Sequence, residues 1–248
     1  MKQATRQYLL KLVQDNYRSL ATKRSELKSQ QKTWPLLAEL AQNLKSSEQR
    51  KNILDIGCGQ GRLAQLFSEA NVNYLGIDNC PELISTISAK YEELENIHFK
   101  QADILRLNEL AEIGFDYVFS LSILHHIPSS KLRLEALKQL KNKLRPGAQI
   151  YLSVRNLWAD KNYRRSLIKF FVLGLLGKHN MDFGDIIFDS HDEQGKLISQ
   201  GYYHAFRLKE LKELAKRADL QVERLYKDDL IGLPVSASIF TLPNSSLS

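Results

Sequence analysis

Apolar residues at the start of the chain recur at helical spacing. Leu9, Val13, Tyr17 and Leu20 fall on one face, with polar and charged residues between them. This periodicity predicts that residues 1–50 form helices that lead into the rest of the fold.

From residue 51 onward, short apolar runs alternate with helical patterns. Runs of strand length occur at 53–56, 73–78, 97–100 and 116–121, and a fifth strand is expected after Pro146 and Gly147. Helical spacing occurs over 62–70, after Pro81 and along Leu134, Leu137, Leu140 and Leu144. This alternation predicts an α/β fold with a doubly wound, mostly parallel sheet, because parallel neighbours need a crossover connection.

The pattern changes in the last part of the chain. Periodicity fails over 155–200, and we expect this insertion after the fifth strand to lie over a ligand site. Leu208, Leu211, Ala215 and Ala218 then predict a helix, and two late strands near 221–226 and 235–241 bring the expected sheet to seven strands. The expected organisation is a single domain, 1–248, made of an N-terminal helical extension (1–50), a cofactor-binding half (51–154), the insertion (155–200) and a C-terminal helix with strands (201–248). The Ser-rich tail at 244–248 is expected to fray.

The composition fits one domain of this kind. With 248 residues and 43% hydrophobic content, the chain can fill one sizeable core. A formal charge of +7 favours a polyanionic partner such as RNA, although the basic residues are spread along the chain. The two cysteines, Cys58 and Cys80, lack metal-ligand spacing, so we expect a cytoplasmic protein without a metal site.

No segment has the composition of a membrane anchor. The first twenty residues alternate apolar and charged positions, whereas a signal peptide has an uninterrupted apolar core. The most apolar segment, residues 167–177, is too short to span a bilayer and contains Lys169. We therefore expect no membrane partner.

The strongest chemical signal is the segment ILDIGCGQGRL at 53–63, in which an apolar strand runs into a glycine-rich turn. Its glycines are Gly57, Gly59 and Gly61, and their backbone can approach a ligand closely. Asp55 precedes them, and Arg62 stands where a dinucleotide-binding turn would need a further glycine. A carboxylate repels a pyrophosphate but attracts the ammonium and sulfonium groups of S-adenosylmethionine (AdoMet). The turn therefore resembles that of the Rossmann-like class I methyltransferases, which implies AdoMet as cofactor.

Further polar positions follow successive strands and complete the expected cofactor pocket. Asp78 ends the second strand, where it is expected to accept hydrogen bonds from both ribose hydroxyls. Ala102 and Asp103 follow the third strand and are expected at the adenine edge, with the acid accepting from the exocyclic amine. A solvated surface Asp is the alternative for each acid. Cys58 is expected to be small and apolar rather than reactive. The complete set expected at the cofactor is Asp55, Gly57, Cys58, Gly59, Gly61, Asp78, Asn79, Ala102, Asp103, Ile104 and Ser120.

Two histidines follow the fourth strand, in SLSILHHIP at 120–128. A methyltransferase of this fold brings its acceptor to the cofactor methyl at this place. His125 or His126 is therefore either a general base or part of the mouth of the site. Because adjacent residues cannot share one face of a strand, we expect only one of them to contact the acceptor.

Three separate segments, 16–37, 120–154 and 200–214, resemble the wobble-uridine carboxymethyl methyltransferases of transfer RNA. The most specific matches are Tyr17 with Ala21, Trp34-Pro35, His125-His126, and Tyr202-Tyr203-His204 with Phe206. An AdoMet fold does not require these residues, so they bear on the substrate. The resemblance implies tRNA as the partner, with methyl ester formation on 5-carboxymethyluridine. In eukaryotic members it also implies a small activating partner protein.

The chain departs from this family on the substrate side. The family commonly has an Arg before Tyr-Tyr-His, where this chain has Gly201. It has a Pro-Trp pair where this chain has Phe188-Asp189-Ser190, and a Trp where this chain has Arg155.

Ester formation makes simple chemical demands. A carboxylate is already ionised at neutral pH, so it attacks the methyl group without a general base. The site needs a cation to hold it, and Arg155 is the candidate, with a surface or phosphate contact as the alternative. His125, Tyr202 and His204 complete the expected catalytic set, and ordinary core packing is the alternative for Tyr202.

Aromatic and basic residues are candidates for RNA contacts. Base stacking is expected from Trp34, Trp158 and Tyr202. Phosphate contacts are expected from Lys161, Arg164, Arg165 and Lys169, for which a solvated helix face is the alternative.

Two other functions stay open at this point. The first is a methyltransferase of the same fold that acts on a small carboxylate, amine or hydroxyl. The second is a non-catalytic subunit of this fold that binds RNA or protein. Retention of Asp55, Gly57, Gly59 and Asp78 argues against the second.

Overall fold

The computed structural model describes residues 1–24, 34–191, 194–228 and 235–241, without the side chains of 20–24, 226–228 and 235–239. The side chains of Leu20 and Ala21, the 25–33 part of the family-like segment and the Ser-rich tail therefore lie outside the described residues.

Nine strands form two sheets within the described ranges. They are β1 (Lys51–Ile56), β2 (Val72–Asp78), β3 (Ile97–Gln101), β4 (Phe115–Leu121), β5 (Leu144–Arg155), β6 (Asp185–His191), β7 (Leu197–His204), β8 (Gln221–Asp228) and β9 (Val235–Thr241). The main sheet has seven strands in the order β3-β2-β1-β4-β5-β9-β8, and β6 and β7 form a separate hairpin. Strands β1 to β5 are parallel, whereas β9 is antiparallel to both neighbours. The strand order reverses between β1 and β4, where a sheet of this kind forms its ligand crevice.

Helices cover both faces of the main sheet. They are α1 (Gln3–Arg24), α2 (Pro35–Lys45), α3 (Arg62–Phe67), α4 (Pro81–Lys90), α5 (Ser130–Lys141), α6 (Lys161–Leu175) and α7 (Leu208–Arg217), with short 3-10 helices at Ile104–Glu109 and Leu124–His126. Successive strand residues point to opposite faces. Leu54 and Val118 pack with α5 and α7, whereas Ile53 and Phe119 pack with α2, α3 and α4. The predicted doubly wound, mostly parallel seven-stranded sheet with an N-terminal helix is confirmed.

The insertion after β5 is more regular than its sequence pattern indicates. It contains α6 and the β6–β7 hairpin, and β7 continues to His204, past the expected boundary at 200. Helix α6 carries apolar residues on both faces, since Leu167 is buried and Leu175 is exposed, so the usual amphipathic contrast is lost. The expectation of irregular structure over 155–200 is therefore corrected.

Two further boundaries differ from the prediction. The helix expected over 62–70 ends at Phe67, and β5 already begins at Leu144. Pro146 and Gly147 lie inside β5 at an irregularity in its pairing with β4, so they do not precede the strand. No helix in the described ranges is long and apolar enough to cross a membrane.

Candidate active site

A cavity of about 760 Å³ lies at the carboxyl ends of strands β1 to β4. This volume falls in the usual range for small-molecule and cofactor sites. One wall comes from helix α1, through Gln7, Leu10, Lys11, Val13, Gln14 and Tyr17. The opposite walls come from the glycine turn, the ends of β2 and β3 and the segment after β4.

The glycine turn requires glycine for two physical reasons. Gly57 and Gly61 have positive φ angles of 73° and 74°, which other residues adopt only at a cost. In addition, a Cβ on Gly57 would lie 2.1 Å from Cδ1 of Ile123. The amides of Gly57 and Cys58 both donate to the carbonyl of Ile77, at 2.7 and 3.0 Å, so the turn is tied to β2. The backbone of Gly57 thus forms part of the cavity wall.

Asp78 lines the cavity and also shapes the turn. Its Oδ2 accepts from the Gly59 amide at 3.1 Å, and its Oδ1 accepts from the Cys80 amide at 3.0 Å. Burial raises the pKa of the Asp78 carboxyl, while these amide hydrogen bonds oppose the shift. A carboxylate has about four acceptor positions, so two are left for the hydroxyls of a ribose.

The residues expected at the adenine edge also lie on the cavity wall. Ala102, Asp103 and Ile104 line it, and Asn79 lies beside Asp78. The Ala102 amide donates to the carbonyl of Asp78 at 3.0 Å. Oδ1 of Asp103 accepts from the Leu105 amide at 2.9 Å, so this carboxylate caps the following 3-10 helix as well. The arrangement fits a bound adenosine, and the individual contacts stay predictions.

The Asp55 side chain is buried beneath the glycine turn and does not face the cavity. The side chain is only 4% exposed, and its Oδ2 accepts from the Tyr74 hydroxyl at 2.5 Å. Burial raises the pKa of the Asp55 carboxyl to about 7. Since Asp55 does not line the cavity, the expected direct contact with the charged groups of AdoMet is corrected to a supporting role beneath the turn.

Two other expected cofactor residues are buried behind the wall. Cys58 lies beneath the turn, close enough to Gly76 that a Cβ built there would be 3.0 Å from that of Cys58. Burial raises the pKa of the Cys58 thiol far above its usual value, in agreement with an unreactive residue. Ser120 is fully buried, and its Oγ has no hydrogen-bond partner among the described residues. Neither side chain lines the cavity, and neither do Gly59 and Gly61.

Of the two histidines, His126 faces the cavity. His126 lines it together with Tyr17, and Nε2 of His126 lies 2.6 Å from the Tyr17 hydroxyl. His125 is 3% exposed, and its Nδ1 accepts from the Arg155 amide at 3.3 Å. Burial, assisted by His126 and Arg155, holds the pKa of His125 well below its usual value. His125 is therefore a neutral, supporting acceptor, which corrects its expected catalytic role.

Arg155 does not line the cavity. Its Nη2 lies 2.9 Å from Oδ2 of Asp160, and its Cζ lies 4.7 Å from the ring centre of Tyr163 and 5.7 Å from that of Tyr203. The Nε of Arg155 is buried and has no hydrogen-bond partner among the described residues. The Tyr203 ring in turn lies 5.0 Å from that of His126. Arg155 is thus connected to the cavity wall through Tyr203.

Tyr202 and His204 belong to a buried polar network, which corrects their expected catalytic role. Tyr202 is fully buried, and its hydroxyl donates to Oδ1 of Asp185 at 2.6 Å. His204 is 1% exposed. Its Nδ1 lies 2.7 Å from Oδ1 of Asp185, and its Nε2 lies 2.7 Å from Oε1 of Glu210. Arg133 of α5 lies in the same network, 3.9 Å from both carboxylates. These contacts fasten the β6–β7 hairpin to α5 and α7 and leave neither residue open to a substrate.

The aromatic residues expected to stack a base are already packed. Trp34 is 7% exposed in the core on the α2 face. Trp158 stacks on Phe183 at 5.7 Å, lies under Arg207 and donates to the carbonyl of Ala205 at 2.9 Å. Tyr203 is the more suitable ring, because it lies beside His126 at the cavity.

Sequence reasoning missed the α1 wall of the cavity. The helical stripe through Val13 and Tyr17 was the available signal, since it marks the side of α1 that faces the fold. Within the described part of the chain, no group of three His, Cys, Asp or Glu residues is placed to hold a metal ion.

Comparison with known proteins identifies the family of the chain. Residues 28–225 match the family described as "Methyltransferase domain". A Bos taurus protein named "Probable tRNA methyltransferase 9B" is 31% identical over 157 residues, which cover 63% of this chain and 31% of that protein. An Acinetobacter baumannii "Ubiquinone biosynthesis O-methyltransferase" is 29% identical over 140 residues, 55% of this chain and 57% of that protein. The matched part of the chain thus spans 31% and 57% of the lengths of these two relatives.

A solved structure has the same fold. It is a SAM-dependent methyltransferase from Methanosarcina mazei, with a TM-score of 0.65 and 21% identity over 85% of this chain and 98% of that one. The predicted class I methyltransferase fold, the methyltransferase class of enzyme and the AdoMet cofactor are confirmed at the level of the family. Because the family model covers most of the sequence, including the glycine turn and the cavity wall after β4, the chain belongs to the methyltransferase-domain family.

Proposed function

We propose that this protein transfers a methyl group from AdoMet to a carboxylate on a modified wobble uridine of tRNA. The observation that carries the proposal is the position of Arg155. Asp160 holds one end of its guanidinium, while the buried Nε lacks a hydrogen-bond partner among the described residues. The Arg155 side chain is 18% exposed, so a substrate carboxylate could reach the guanidinium and form a charge-assisted hydrogen bond with it.

The surroundings suit a reaction that depends on positioning. AdoMet, when bound, supplies a methyl group on a positively charged sulfur. Arg155 would hold the acceptor charge, and Tyr203 would support the base, since its ring already stacks on Phe188 at 4.3 Å. Ile123 and Ile127 line the cavity near His126 and would exclude water. Such positioning can supply up to roughly 7–11 kcal/mol of a barrier in favourable cases.

The proposed RNA surface is formed by four basic residues of α6. Lys161, Arg164, Arg165 and Lys169 are all exposed there. Helix α6 begins six residues after Arg155, and its Tyr163 ring lies 4.7 Å from Cζ of Arg155, so the start of the helix lies next to the proposed acceptor site. The bovine relative named as a probable tRNA methyltransferase supports this choice of substrate.

The direct test is methyl transfer from labelled AdoMet to tRNA that carries 5-carboxymethyluridine. The same tRNA without the carboxymethyl group is the matched control. We expect label only in the first, released by mild alkali as expected for an ester. Arg155→Lys should lower kcat/KM by roughly tenfold to a hundredfold, because it loses the forked donor, whereas Lys161→Arg should not. If no ester forms on the tRNA that carries 5-carboxymethyluridine, the proposal is wrong.

A small-molecule acceptor is the second candidate, and one observation favours it. The Tyr17 hydroxyl and His126 form a hydrogen-bonded pair on the cavity wall, where a hydroxyl or amine acceptor would need a base. The Acinetobacter relative is named as an O-methyltransferase of ubiquinone biosynthesis. Methylation of small phenols or amines, with no dependence on tRNA, would support this function instead.

A further inference from the structure

The C-terminal half of α6 exposes a stripe of large apolar side chains. Ile168, Phe171, Val172 and Leu175 are 58%, 47%, 45% and 73% exposed, and Leu176, just beyond the helix, is 66% exposed. Their spacing of three and four residues places them on one side of the helix. We call these five residues the apolar stripe.

The stripe continues onto the loop before β6. Phe183 is 50% exposed, and its ring lies 5.5 Å from that of Phe171 in an edge-on arrangement. Single exposed apolar residues are normal on a protein surface, but a contiguous group of this kind marks an interaction surface.

The segment that carries the apolar stripe is basic. Its charged residues over 161–181 are Lys161, Arg164, Arg165, Lys169 and Lys178, with no Asp or Glu among them. Lys169 and Lys178 are exposed on either side of the stripe, while Arg164 and Arg165 precede it by about one turn. The apolar stripe is therefore bordered by basic side chains, without an acidic residue in the segment 161–181.

We propose that the apolar stripe docks α6 on the surface of an anionic membrane. At such a surface, anionic headgroups border the apolar acyl region, so basic side chains around an exposed apolar stripe match both parts of it. A fluid lipid surface also requires charge and apolar area but no complementary shape. This surface contact differs from a membrane span, and it revises the sequence-based expectation of no membrane partner.

A second copy of the chain suits this face less well. In a symmetric dimer the same patch meets itself, which would bring Lys169 and Lys178 of two copies together around the stripe. Like charges in such an interface are unfavourable. The membrane proposal uses neither the cavity nor Arg155, so it does not depend on the identity of the methyl acceptor, although it shares Lys169 with the proposed RNA surface.

The test is flotation of the full-length protein with lipid vesicles. One set contains phosphatidylcholine alone, and the other contains equal parts of phosphatidylcholine and phosphatidylglycerol. We expect the parent protein to float with the anionic vesicles and to stay behind with the neutral ones. Leu175→Glu should reduce binding by about tenfold or more, because it places a charge in the apolar contact. Ile113→Glu is the matched control, since Ile113 is 70% exposed outside α6, and it should float like the parent.

The charge contribution is tested separately. Lys169→Glu combined with Lys178→Glu should weaken binding to anionic vesicles and reduce its dependence on salt, whereas Lys138→Glu combined with Lys212→Glu should not. All four lysines are exposed, so these variants should fold, and thermal unfolding would verify it. The proposal is overturned if the parent does not float with anionic vesicles at low salt, or if Leu175→Glu floats with them to the same extent as the parent. Self-association or protein binding that Leu175→Glu abolishes, without any flotation of the parent, would assign the stripe to a protein contact and also overturn it.

Discussion

The Tyr17 hydroxyl lies 2.6 Å from Nε2 of His126, across 109 residues of chain. This contact joins α1 to the 3-10 helix after β4, and both residues line the cavity. The pair therefore forms part of the cavity wall beside the segment after β4, where the acceptor is expected. It can act either by position or by proton transfer, and these two roles depend differently on pH.

The first prediction separates these roles by a pH profile of methyl transfer. With an ionised carboxylate acceptor, the parent rate should be nearly constant between about pH 6 and 9, because no proton is removed. Tyr17→Phe and His126→Asn should then lower the rate by less than about tenfold through positioning alone. The parent pH–rate profile could instead show a limb with an apparent pKa of about 6.5 that His126→Asn abolishes. In that case the acceptor loses a proton, and the carboxylate mechanism is wrong.

The second prediction contrasts the two acids around the glycine turn. Asp78→Ala should weaken AdoMet binding by roughly 2–4 kcal/mol, because it removes the acceptor for the ribose hydroxyls. It should also lower thermal stability, since the Gly59 and Cys80 amides lose their acceptor. Asp55→Asn should change AdoMet affinity by less than about tenfold, because Asp55 lies behind the cavity wall. Calorimetric titration of both variants measures this, and equal losses would return Asp55 to the cofactor site.

The sheet and the glycine turn were predictable because their signals are local. Each parallel strand of the cofactor half is a short apolar run, and the carboxyl ends of such strands meet at one edge. Asp78 and Asp103 therefore come to the cavity from strand-end positions alone. The direction of Asp55 follows from the same rule, since its neighbour Ile56 lines the cavity and adjacent strand residues face opposite ways.

The substrate side was less predictable because its contacts are long-range. The hydrogen bond between Tyr17 and His126 has no local signal. Tyr and His are common residue types in catalytic sites. Only the packing of the hairpin shows that Tyr202 and His204 are hydrogen-bonded to Asp185 and Glu210. Elements that are distant in the sequence bury Tyr202 and His204, and the spacing of residues in the sequence does not indicate this burial.

The third prediction concerns the proposed RNA surface. Arg164→Glu combined with Arg165→Glu should weaken tRNA binding and reduce its dependence on salt, because fewer counterions are released from phosphates. AdoMet binding should not change, since neither residue lines the cavity. Binding is measured at several salt concentrations without lipid. The pair Lys138→Glu and Lys212→Glu, on other helices, is the control of equal charge. Unchanged tRNA affinity at low salt would assign these arginines to a solvated face.

The fourth prediction concerns Gly201, which stands where the tRNA methyltransferase family that the sequence resembles commonly has an arginine. Gly201 pairs with Phe188 across the hairpin, and a Cβ at position 201 would lie 2.3 Å from Cζ of Phe188. Gly201→Ala should therefore cost about 1–3 kcal/mol of stability, and Gly201→Arg should cost more. In a Phe188→Ala background the cost of Gly201→Ala should fall, because the ring no longer occupies the space. Urea unfolding of the four proteins gives the coupling, and additive costs would show that Phe188 is not the cause.

The fifth prediction follows from the buried carboxyl of Asp55. Its pKa is raised from 3.8 to about 7 by burial, so the folded state binds this proton more tightly than the unfolded chain does. The stabilising contribution is therefore complete below the unfolded pKa and is lost as the pH rises through about 7. Asp55→Asn imitates the protonated form, and its amide oxygen can still accept from the Tyr74 hydroxyl. The free energy of unfolding of Asp55→Asn, relative to the parent, should thus increase between about pH 5 and 8, by roughly 3 kcal/mol. Urea unfolding across this range measures the difference, and a difference that is independent of pH would mean that Asp55 is already ionised in the folded protein at pH 5.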